Sequence, residues 1–145
     1  MLQEIEFGSA GYEMALGLRQ RVLRDPLGVQ WTEEERRAEL LDRHFVRWDA
    51  GRVVACVVVR GLGNGGGKIR QMAVEPERQE EGLGRELLEY VEAQLRDEGV
   101  GRFELNAREH ARGFYEKLGY TVVGELFLEV GIPHWKMNKV VACRE

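Results

Sequence analysis

Residues 74–84 have the composition of an anion-binding turn. They read Val-Glu-Pro-Glu-Arg-Gln-Glu-Glu-Gly-Leu-Gly and join a predicted strand to the clearest helical pattern of the chain. Pro76 ends the strand, while Gly82 and Gly84 let the backbone approach a bulky anion. The first N–H groups of a helix lack partners within it and carry the positive end of its dipole. The backbone at residues 81–85 is therefore suited to a pyrophosphate, although an ordinary strand–helix connection accounts for the same residues equally well.

A second group of glycines lies in residues 61–67, which read Gly-Leu-Gly-Asn-Gly-Gly-Gly. Gly61, Gly63 and Gly66 have the spacing of a dinucleotide-binding motif, but that motif requires a helix directly after the glycines. Here a predicted strand, 67–74, follows instead. We interpret the stretch as a hairpin loop, because glycine is a usual residue of tight turns.

The composition indicates one domain with neither a nucleic-acid nor a membrane partner. The chain has 145 residues and a mass of 16.6 kDa, which predicts a single domain spanning 1–145. The formal net charge is −4, and no basic stripe is visible. The longest apolar run, residues 53–59, is far shorter than the ~20 residues of a membrane helix. No leader segment is visible at the N-terminus, and we expect a cytoplasmic protein.

Residue types that bind metals are sparse. Cys56 and Cys143 lie far apart in the sequence, so they form neither a CxxC motif nor a disulfide framework. The three histidines, His44, His110 and His134, lack metal-ligand spacing. We therefore predict no metal site.

Caps and hydrophobic periodicity predict the elements that position the turn. Ser9 is placed to cap a helix that ends before Pro26, and Thr32 with Glu35 forms a capping box. The predicted helices cover about 11–24, 32–41, 82–98 and 109–118. The predicted strands cover 2–7, 44–49, 52–61, 67–74, 102–107, 121–128 and 134–142. The resulting order, βααβββαβαββ, indicates a mixed α/β (α+β) sheet.

The turn and a second segment together resemble the GNAT superfamily of acetyl-CoA-dependent N-acetyltransferases. The turn of that family reads V-x-P-x-x-[RQ]-G-x-[GA]-x-[GA], and the residues that match it in register are Val74, Pro76, Gln79, Gly82, Leu83 and Gly84. Asn106 and residues 113–120, Gly-Phe-Tyr-Glu-Lys-Leu-Gly-Tyr, resemble the family's second motif, FYxxxGF. Glu80 departs from the pattern, because the family usually has glycine there.

Further residues resemble the ElaA-like branch of this superfamily. Residues 131–134 read Gly-Ile-Pro-His. The other residues that carry this narrower resemblance are Leu18, Arg19, Val22, His44 and Met137.

The resemblance implies a central, mostly antiparallel sheet flanked by helices, with acetyl-CoA as the co-substrate. The acetyl-pantetheine arm would lie along the main chain of Met72 and Val74, where this strand splays from the next one. Asn106 would bond the pantetheine or the start of the following helix. The residues implied in cofactor binding are Met72, Ala73, Val74, Gln79, Glu80, Glu81, Gly82, Leu83, Gly84, Arg85 and Asn106.

The resemblance also implies that an amine attacks the thioester directly in a ternary complex. Tyr115 matches the position of the acid that protonates the leaving thiolate; the alternative is a core aromatic residue beside Phe114. The strand 68–74 contains no carboxylate, so the general base is not identified. Arg19 and Arg21 lie on the first helix, where the family forms its acceptor groove, and would either bind a substrate carboxylate or face solvent.

Two functions fit these residues. The first is an acetyltransferase that acts on a small-molecule or peptide amine. The alternative is an acyl-CoA-binding sensor with weak turnover, which the acidic residues Glu80 and Glu81 and the missing base favour and Tyr115 disfavours. A dinucleotide-binding protein is disfavoured because the glycines at 61–66 precede a strand. A homodimer is compatible with either function.

Overall fold

The structure is a computed structural model that describes residues 1–141 of the chain. Cys143 lies outside these residues. Within them the strands are β1 (Leu2–Ile5), β2 (Arg43–Asp49), β3 (Arg52–Gly61), β4 (Gly66–Val74), β5 (Arg102–Arg108), β6 (Thr121–Val122), β7 (Phe127–Glu129) and β8 (Ile132–Val140). The α-helices are α1 (Ala10–Arg19), α2 (Glu33–Arg37), α3 (Leu83–Asp97) and α4 (Arg112–Lys117). A π-helical turn, Gln20–Arg24, continues α1, and 3-10 turns lie at Asp25–Leu27, Pro76–Glu81 and Glu109–Ala111.

The strands form a mixed, mostly antiparallel sheet with flanking helices, which confirms the predicted fold class. β4 and β5 are parallel, whereas β1–β2, β2–β3, β5–β8, β6–β8 and β7–β8 are antiparallel. The chain divides into two compact units, the first with Met1–Arg60 and Gln71–Ala93, the second with Gly61–Arg70 and the residues from Gln94 onward. The first unit has the strand order β1-β2-β3 and then the end of β4; the second has the start of β4, then β5-β8-β6, with β7 on β8. The single domain 1–145 stays a prediction.

In the first unit, α1 and α3 pack against alternate residues of β2. His44 faces α1, where its ring lies 5.0 Å from that of Tyr12. Phe45 points the other way, and its ring lies 6.4 Å from that of Tyr90 on α3. Successive side chains of a strand point to opposite faces, so one strand supports both helices. Leu18 of α1 joins Val46, Cys56 and other apolar side chains in a buried cluster.

The predicted helix caps are confirmed. The Ser9 hydroxyl accepts the N–H of Tyr12 at 3.2 Å. The Thr32 hydroxyl accepts the N–H of Glu35 at 3.1 Å, and the Glu35 carboxylate accepts the N–H of Thr32 at 3.2 Å. However, α2 ends at Arg37 rather than near Leu41. The segment offers no apolar face to bury, and a short helix without tertiary packing is marginal.

In the second unit, strand β5 has one buried face and one polar face. Phe103, Leu105 and Ala107 are buried, and the residues between them are half-buried. α4 lies on the same face of the strand as Ala107. The contact that shows this is the Arg112 guanidinium over the ring of Trp135, which pairs with Ala107 in the β5–β8 ladder.

The predicted strand 121–128 is two short strands, β6 and β7. The residues between them include Gly124 at φ 80°, a left-handed conformation that interrupts a strand. Both strands pair with β8. The predicted hairpin loop at 61–67 is confirmed as the connection from β3 to β4, with a hydrogen bond from the Leu62 N–H to the Gly66 carbonyl at 3.0 Å.

Candidate active site

The glycine-rich turn connects β4 to α3 in the order that the sequence predicts. The 3-10 turn Pro76–Glu81 follows the strand, and Gly82 reverses the chain at φ 76° before α3 begins. The Gly82 carbonyl accepts the N–H of Glu86 at 3.0 Å. Leu83, Gly84 and Arg85 therefore contribute the N–H groups of the first turn of α3, ahead of Glu86 in the chain. A Cβ added at Gly82 would meet no atom within 4 Å. The start of α3 therefore has open space beside its first N–H groups, as a phosphate group requires.

The end of β4 contains a backbone irregularity that sequence reasoning missed. Gln71 has φ 55°, a left-handed conformation inside a strand. The parallel ladder to β5 joins Gly66, Gly67 and Lys68 to their partners, and β4 continues to Val74. This end of β4 is the part that the resemblance places beside the acetyl-pantetheine arm. The sequence gives no signal for this irregularity, because strand residues with positive φ are usually glycine and residue 71 is glutamine.

The predicted cofactor residues of β4 differ in exposure. Met72 and Val74 are half-buried, whereas Ala73 is 2% exposed and packs in the core cluster of the first unit. Ala73 can therefore offer only its main chain to a ligand. The side-chain amide of Gln79 donates to the Val74 carbonyl at 3.3 Å and so connects the turn to the strand end.

Arg78 offsets part of the negative charge of the turn. Its guanidinium donates to Glu81 Oε1 at 2.8 Å and also contacts the Asp49 carboxylate. This hydrogen bond holds the pKa of the Glu81 carboxyl below its usual range. Glu80 is exposed and has no ion-pair partner within residues 1–141. Glu80 is thus a carboxylate that would repel a phosphate group.

The structure excludes both alternatives considered for Arg19. Its side chain is 1% exposed, and Nη1 donates to Glu39 Oε1 at 3.0 Å while Nη2 contacts Oε2. The Tyr12 hydroxyl donates to the same carboxylate at 2.9 Å. Burial, and then the Glu39 carboxylate, raise the pKa of Tyr12. Arg19 is neither solvated nor free to bind a substrate, because it is the buried counterion of Glu39.

Arg21 lies at the surface of the same unit. Its side chain is 48% exposed, and its Nη2 is 2.9 Å from Glu75 Oε2. A cavity of about 280 Å³ lies beside it, lined also by Met14, Gly17, Arg52 and Val53. Arg21 therefore remains compatible with binding a substrate carboxylate.

Tyr115 lies on α4 in the second unit and is 7% exposed. Its ring contacts those of Phe114 and Tyr120, with centroid distances of 5.0 and 5.9 Å. Burial raises the pKa of Tyr115 to about 12. The hydroxyl is therefore neutral at neutral pH and keeps its proton for donation.

Asn106 contacts a carboxylate that sequence reasoning did not consider. Its Nδ2 donates to Glu129 Oε1 at 3.2 Å, on the polar face of β5. His134 Nε2 lies 3.5 Å from Glu129 Oε2. His44, in the first unit, instead has its Nε2 3.0 Å from the Glu39 carbonyl. Glu129 lies two residues before the Gly-Ile-Pro-His segment, but nothing in that spacing alone predicts its contact with Asn106.

Within residues 1–141, no three His, Cys, Asp or Glu side chains are grouped as metal ligands. No helix in that part of the chain is long and apolar enough to cross a membrane.

Comparison with known proteins identifies the family. Residues 29–141 match the family model of the acetyltransferase (GNAT) domain. YjcF, an uncharacterized N-acetyltransferase of Bacillus subtilis, is 32% identical over 126 residues, which are 86% of this chain and 89% of that one. A second Bacillus subtilis chain, named as an acetyltransferase, is 32% identical over 97 residues. Those residues are 67% of this chain and 65% of that one, so the match spans about two thirds of each.

Solved structures share the fold at low identity. An N-acetyltransferase from Lactobacillus plantarum superposes with a TM-score of 0.84 at 20% identity, over 97% of this chain and 99% of that one. Escherichia coli ElaA gives 0.79 at 22% identity, over 96% and 99%. An aminoglycoside 6'-N-acetyltransferase complexed with coenzyme A gives 0.81 at 18% identity, over 100% and 99%. The fold is that of an acyltransferase domain. The chain belongs to the GNAT acetyltransferase family, as its two motifs predict.

Proposed function

We propose that the protein transfers an acetyl group from acetyl-CoA to an amine, by direct attack within a ternary complex. The observation that carries this proposal is the turn before α3. Gly82, at φ 76° with open space around its Cα, directly precedes the first N–H groups of α3, where the positive end of the helix dipole lies. These residues fit a pyrophosphate, and the related fold of an aminoglycoside acetyltransferase is known with coenzyme A bound.

In this proposal the turn and the end of β4 bind the co-substrate. The backbone at residues 81–85 binds the pyrophosphate, and the main chain of Met72 and Val74 binds the pantetheine. The Gln79 amide keeps the Val74 carbonyl in place, and a carbonyl has a second lone pair for another donor. Acetyl-CoA supplies the thioester carbonyl carbon that the amine attacks.

Tyr115 is proposed to donate a hydrogen bond to the leaving thiolate. Burial raises its pKa to about 12, above the ~8.5 of an ordinary thiol, so the proton stays on the tyrosine oxygen rather than passing fully to sulfur. A hydrogen bond from the neutral hydroxyl needs no such transfer and still stabilises the developing charge.

Substitution of Gly82 tests the binding step. Gly82→Val places a β-branched side chain in the open space before α3 and at a φ that valine rarely adopts. We expect the dissociation constant for acetyl-CoA, measured by calorimetric titration, to rise at least tenfold. Gly8→Val is the matched control, because Gly8 has a similar φ of 80° and likewise no atom within 4 Å of an added Cβ. Equal affinity in folded Gly82→Val protein would place the pyrophosphate elsewhere.

An acyl-CoA sensor is the second candidate, and the exposed, unpaired carboxylate of Glu80 favours it. Repulsion between Glu80 and the phosphates would weaken retention of the co-substrate. A thiol-release assay with a panel of amines separates the two functions. The panel holds spermidine, tyramine, kanamycin and a peptide with a free α-amino group. Binding of acetyl-CoA with no release of CoA from any of them would support the sensor.

A further inference from the structure

The cavity beside Arg21 in the first unit combines apolar surface with positive charge. Its volume is about 280 Å³, and its lining residues are Met14, Gly17, Arg21, Arg52 and Val53. Two of these side chains are cationic, and the other three residues are uncharged. The volume lies just below the ~300–1,000 Å³ that is usual for ligand pockets, so the cavity suits a small ligand or one group of a larger one.

Arg52 is a cation without an ion-pair partner in the part of the chain that the structure describes. It is exposed at the first position of β3. Asp49 lies opposite Arg52 in the β2–β3 ladder, but the Asp49 carboxylate contacts Arg78. A guanidinium has five N–H donors and keeps its charge in proteins. Arg52 can therefore bind an anion without first releasing another carboxylate.

Arg21 lines the same cavity and is only partly engaged. A Cβ added at Gly17, one turn earlier in the chain, would lie 3.7 Å from Arg21 Nη1, so the guanidinium lies back along the helix. Its Nη2 is 2.9 Å from Glu75 Oε2, whereas Nη1 forms no hydrogen bond within residues 1–141. Glu75 therefore fixes the side chain and leaves donors for a second carboxylate.

A neighbouring cavity of about 330 Å³ shares Arg52 but has an excess of negative charge. Its lining includes the carboxylates of Asp49, Glu75 and Glu77, with Arg78 as the second cation. These carboxylates would repel an anion. An anionic group is therefore expected in the first cavity, at the guanidiniums, rather than in this one.

The first cavity is connected to the residues that we propose for the co-substrate, all within the first unit. Glu75, the partner of Arg21, directly follows Val74, and its N–H donates to the Val54 carbonyl at 2.8 Å. The Val74 carbonyl accepts the amide of Gln79 at 3.3 Å. A ligand that binds Arg21 therefore lies one ion pair away from the end of β4.

We propose that the acceptor is a small amine that also carries a carboxylate, and that Arg52 and Arg21 bind this carboxylate in the cavity. The proposal rests on the proposed acetyl transfer, which requires an amine but leaves its class open. Amino acids and other aminocarboxylates have both groups, whereas polyamines and aminoglycosides lack the carboxylate. Hydrogen bonds from a guanidinium to a carboxylate are shorter and stronger than neutral ones, so this group would decide which amines bind well.

Arg52→Gln tests the carboxylate site with pairs of amines that differ only in that group: lysine with cadaverine, and tyrosine with tyramine. In the thiol-release assay we expect the wild-type protein to have a lower KM for lysine and tyrosine than for their counterparts. Arg52→Gln should raise the KM for lysine and tyrosine about tenfold, the low end for a lost hydrogen bond to a charged group, because the site is open to solvent. The KM for cadaverine and tyramine should not change.

Arg37→Gln is the matched control, because Arg37 is another exposed arginine of the first unit without an ion pair within residues 1–141. It should change none of the four KM values. Arg52→Glu should go further than Arg52→Gln and reverse the preference within each pair, since the new carboxylate repels lysine and tyrosine more than their counterparts. Thermal unfolding of each variant shows whether it is folded.

Calorimetric titration with acetyl-CoA separates the acceptor from the co-substrate, whose phosphates could bind the same two cations. We expect its dissociation constant to be unchanged in Arg52→Gln. A rise of about tenfold would assign Arg52 to a phosphate of acetyl-CoA and overturn the proposal. Wild-type protein that does not prefer the carboxylate-bearing amines, or equal KM changes within a pair, would also overturn it while the acetyl transfer stands. Wild-type protein that transfers acetyl to no amine would instead overturn the proposed function, and this inference with it.

Discussion

Loss of the Glu39 charge is expected to destabilise the first unit strongly. The side chains of Arg19 and Glu39 are 1% and 3% exposed, so water cannot solvate either one when the other is removed. In Glu39→Gln the amide oxygen can still accept from Tyr12 or from Arg19, and the main loss is the counterion of a buried guanidinium. Breaking a buried pair in this way typically costs about 3–5 kcal/mol, a large part of the ~5–15 kcal/mol that stabilises a domain.

Urea unfolding followed by tryptophan fluorescence measures this loss. Trp31 is a suitable reporter, because the Arg19 guanidinium lies 4.3 Å from its ring centroid. With a slope of about 2 kcal/mol per molar urea, the urea midpoint of unfolding should fall by roughly 1.5–2.5 M. Glu13→Gln is the control, since Glu13 forms an ion pair with Arg36 but is half-exposed. Exposed pairs contribute about 0–1 kcal/mol.

A double variant separates the interaction from the loss of each side chain. Arg19→Met with Glu39→Leu removes both charges and keeps apolar volume in the core. Such replacements of a buried pair are often neutral or stabilising, so the double variant should be more stable than Glu39→Gln. A cost below about 1 kcal/mol for Glu39→Gln, or a double variant that is less stable still, would refute the reasoning.

Three further predictions follow from single residues. Val130 has φ 48°, which valine rarely adopts and asparagine tolerates, so Val130→Asn should raise the free energy of unfolding by about 1 kcal/mol and the Tm by roughly 2–4 °C; Val123→Asn, at an exposed valine without positive φ, should give no such gain. Tyr115→Phe removes one hydrogen-bond donor to the developing thiolate and should lower kcat about 10²-fold with unchanged acetyl-CoA affinity by calorimetry; equal rates would remove the hydroxyl from the mechanism. Burial raises the pKa of Cys56 from 9.0 to about 12, so the unfolded chain loses this proton first and stability falls as pH rises across that range. Cys56→Ala should therefore reduce the slope of unfolding free energy against pH by about 1.4 kcal/mol per unit, measured by urea titrations between pH 9 and 12; an unchanged slope would contradict the buried thiol.

The sequence predicts those features that depend on local signals. Ser9 and Thr32 are recognised because a capping residue acts on N–H groups two or three positions away. The turn before α3 is recognised for a similar reason, since proline and glycine change the backbone where they stand. The end of α2 is missed because helix length depends on an apolar face that other elements must cover.

Contacts between residues that are far apart in the chain cannot be predicted from the sequence alone. Arg19 and Glu39 are 20 residues apart, and either one alone resembles a solvent-facing charge. Asn106 and Glu129 are 23 residues apart and meet only through the registers of β5, β7 and β8. A shift of one residue in any of these registers would move a side chain to the other face, so no local pattern predicts the contact.

Cys56 makes the motion of α1 measurable. The Cys56 sulfur lies under α1, 3.9 Å from the Ala15 carbonyl, and the residue is 2% exposed. In a Cys143→Ser variant it would be the sole thiol of the chain. A buried thiol with a raised pKa reacts with a thiol reagent only after its surroundings open. The labelling rate would then measure how often α1 separates from the sheet. A lower labelling rate in the presence of acetyl-CoA would show that the co-substrate slows that local opening.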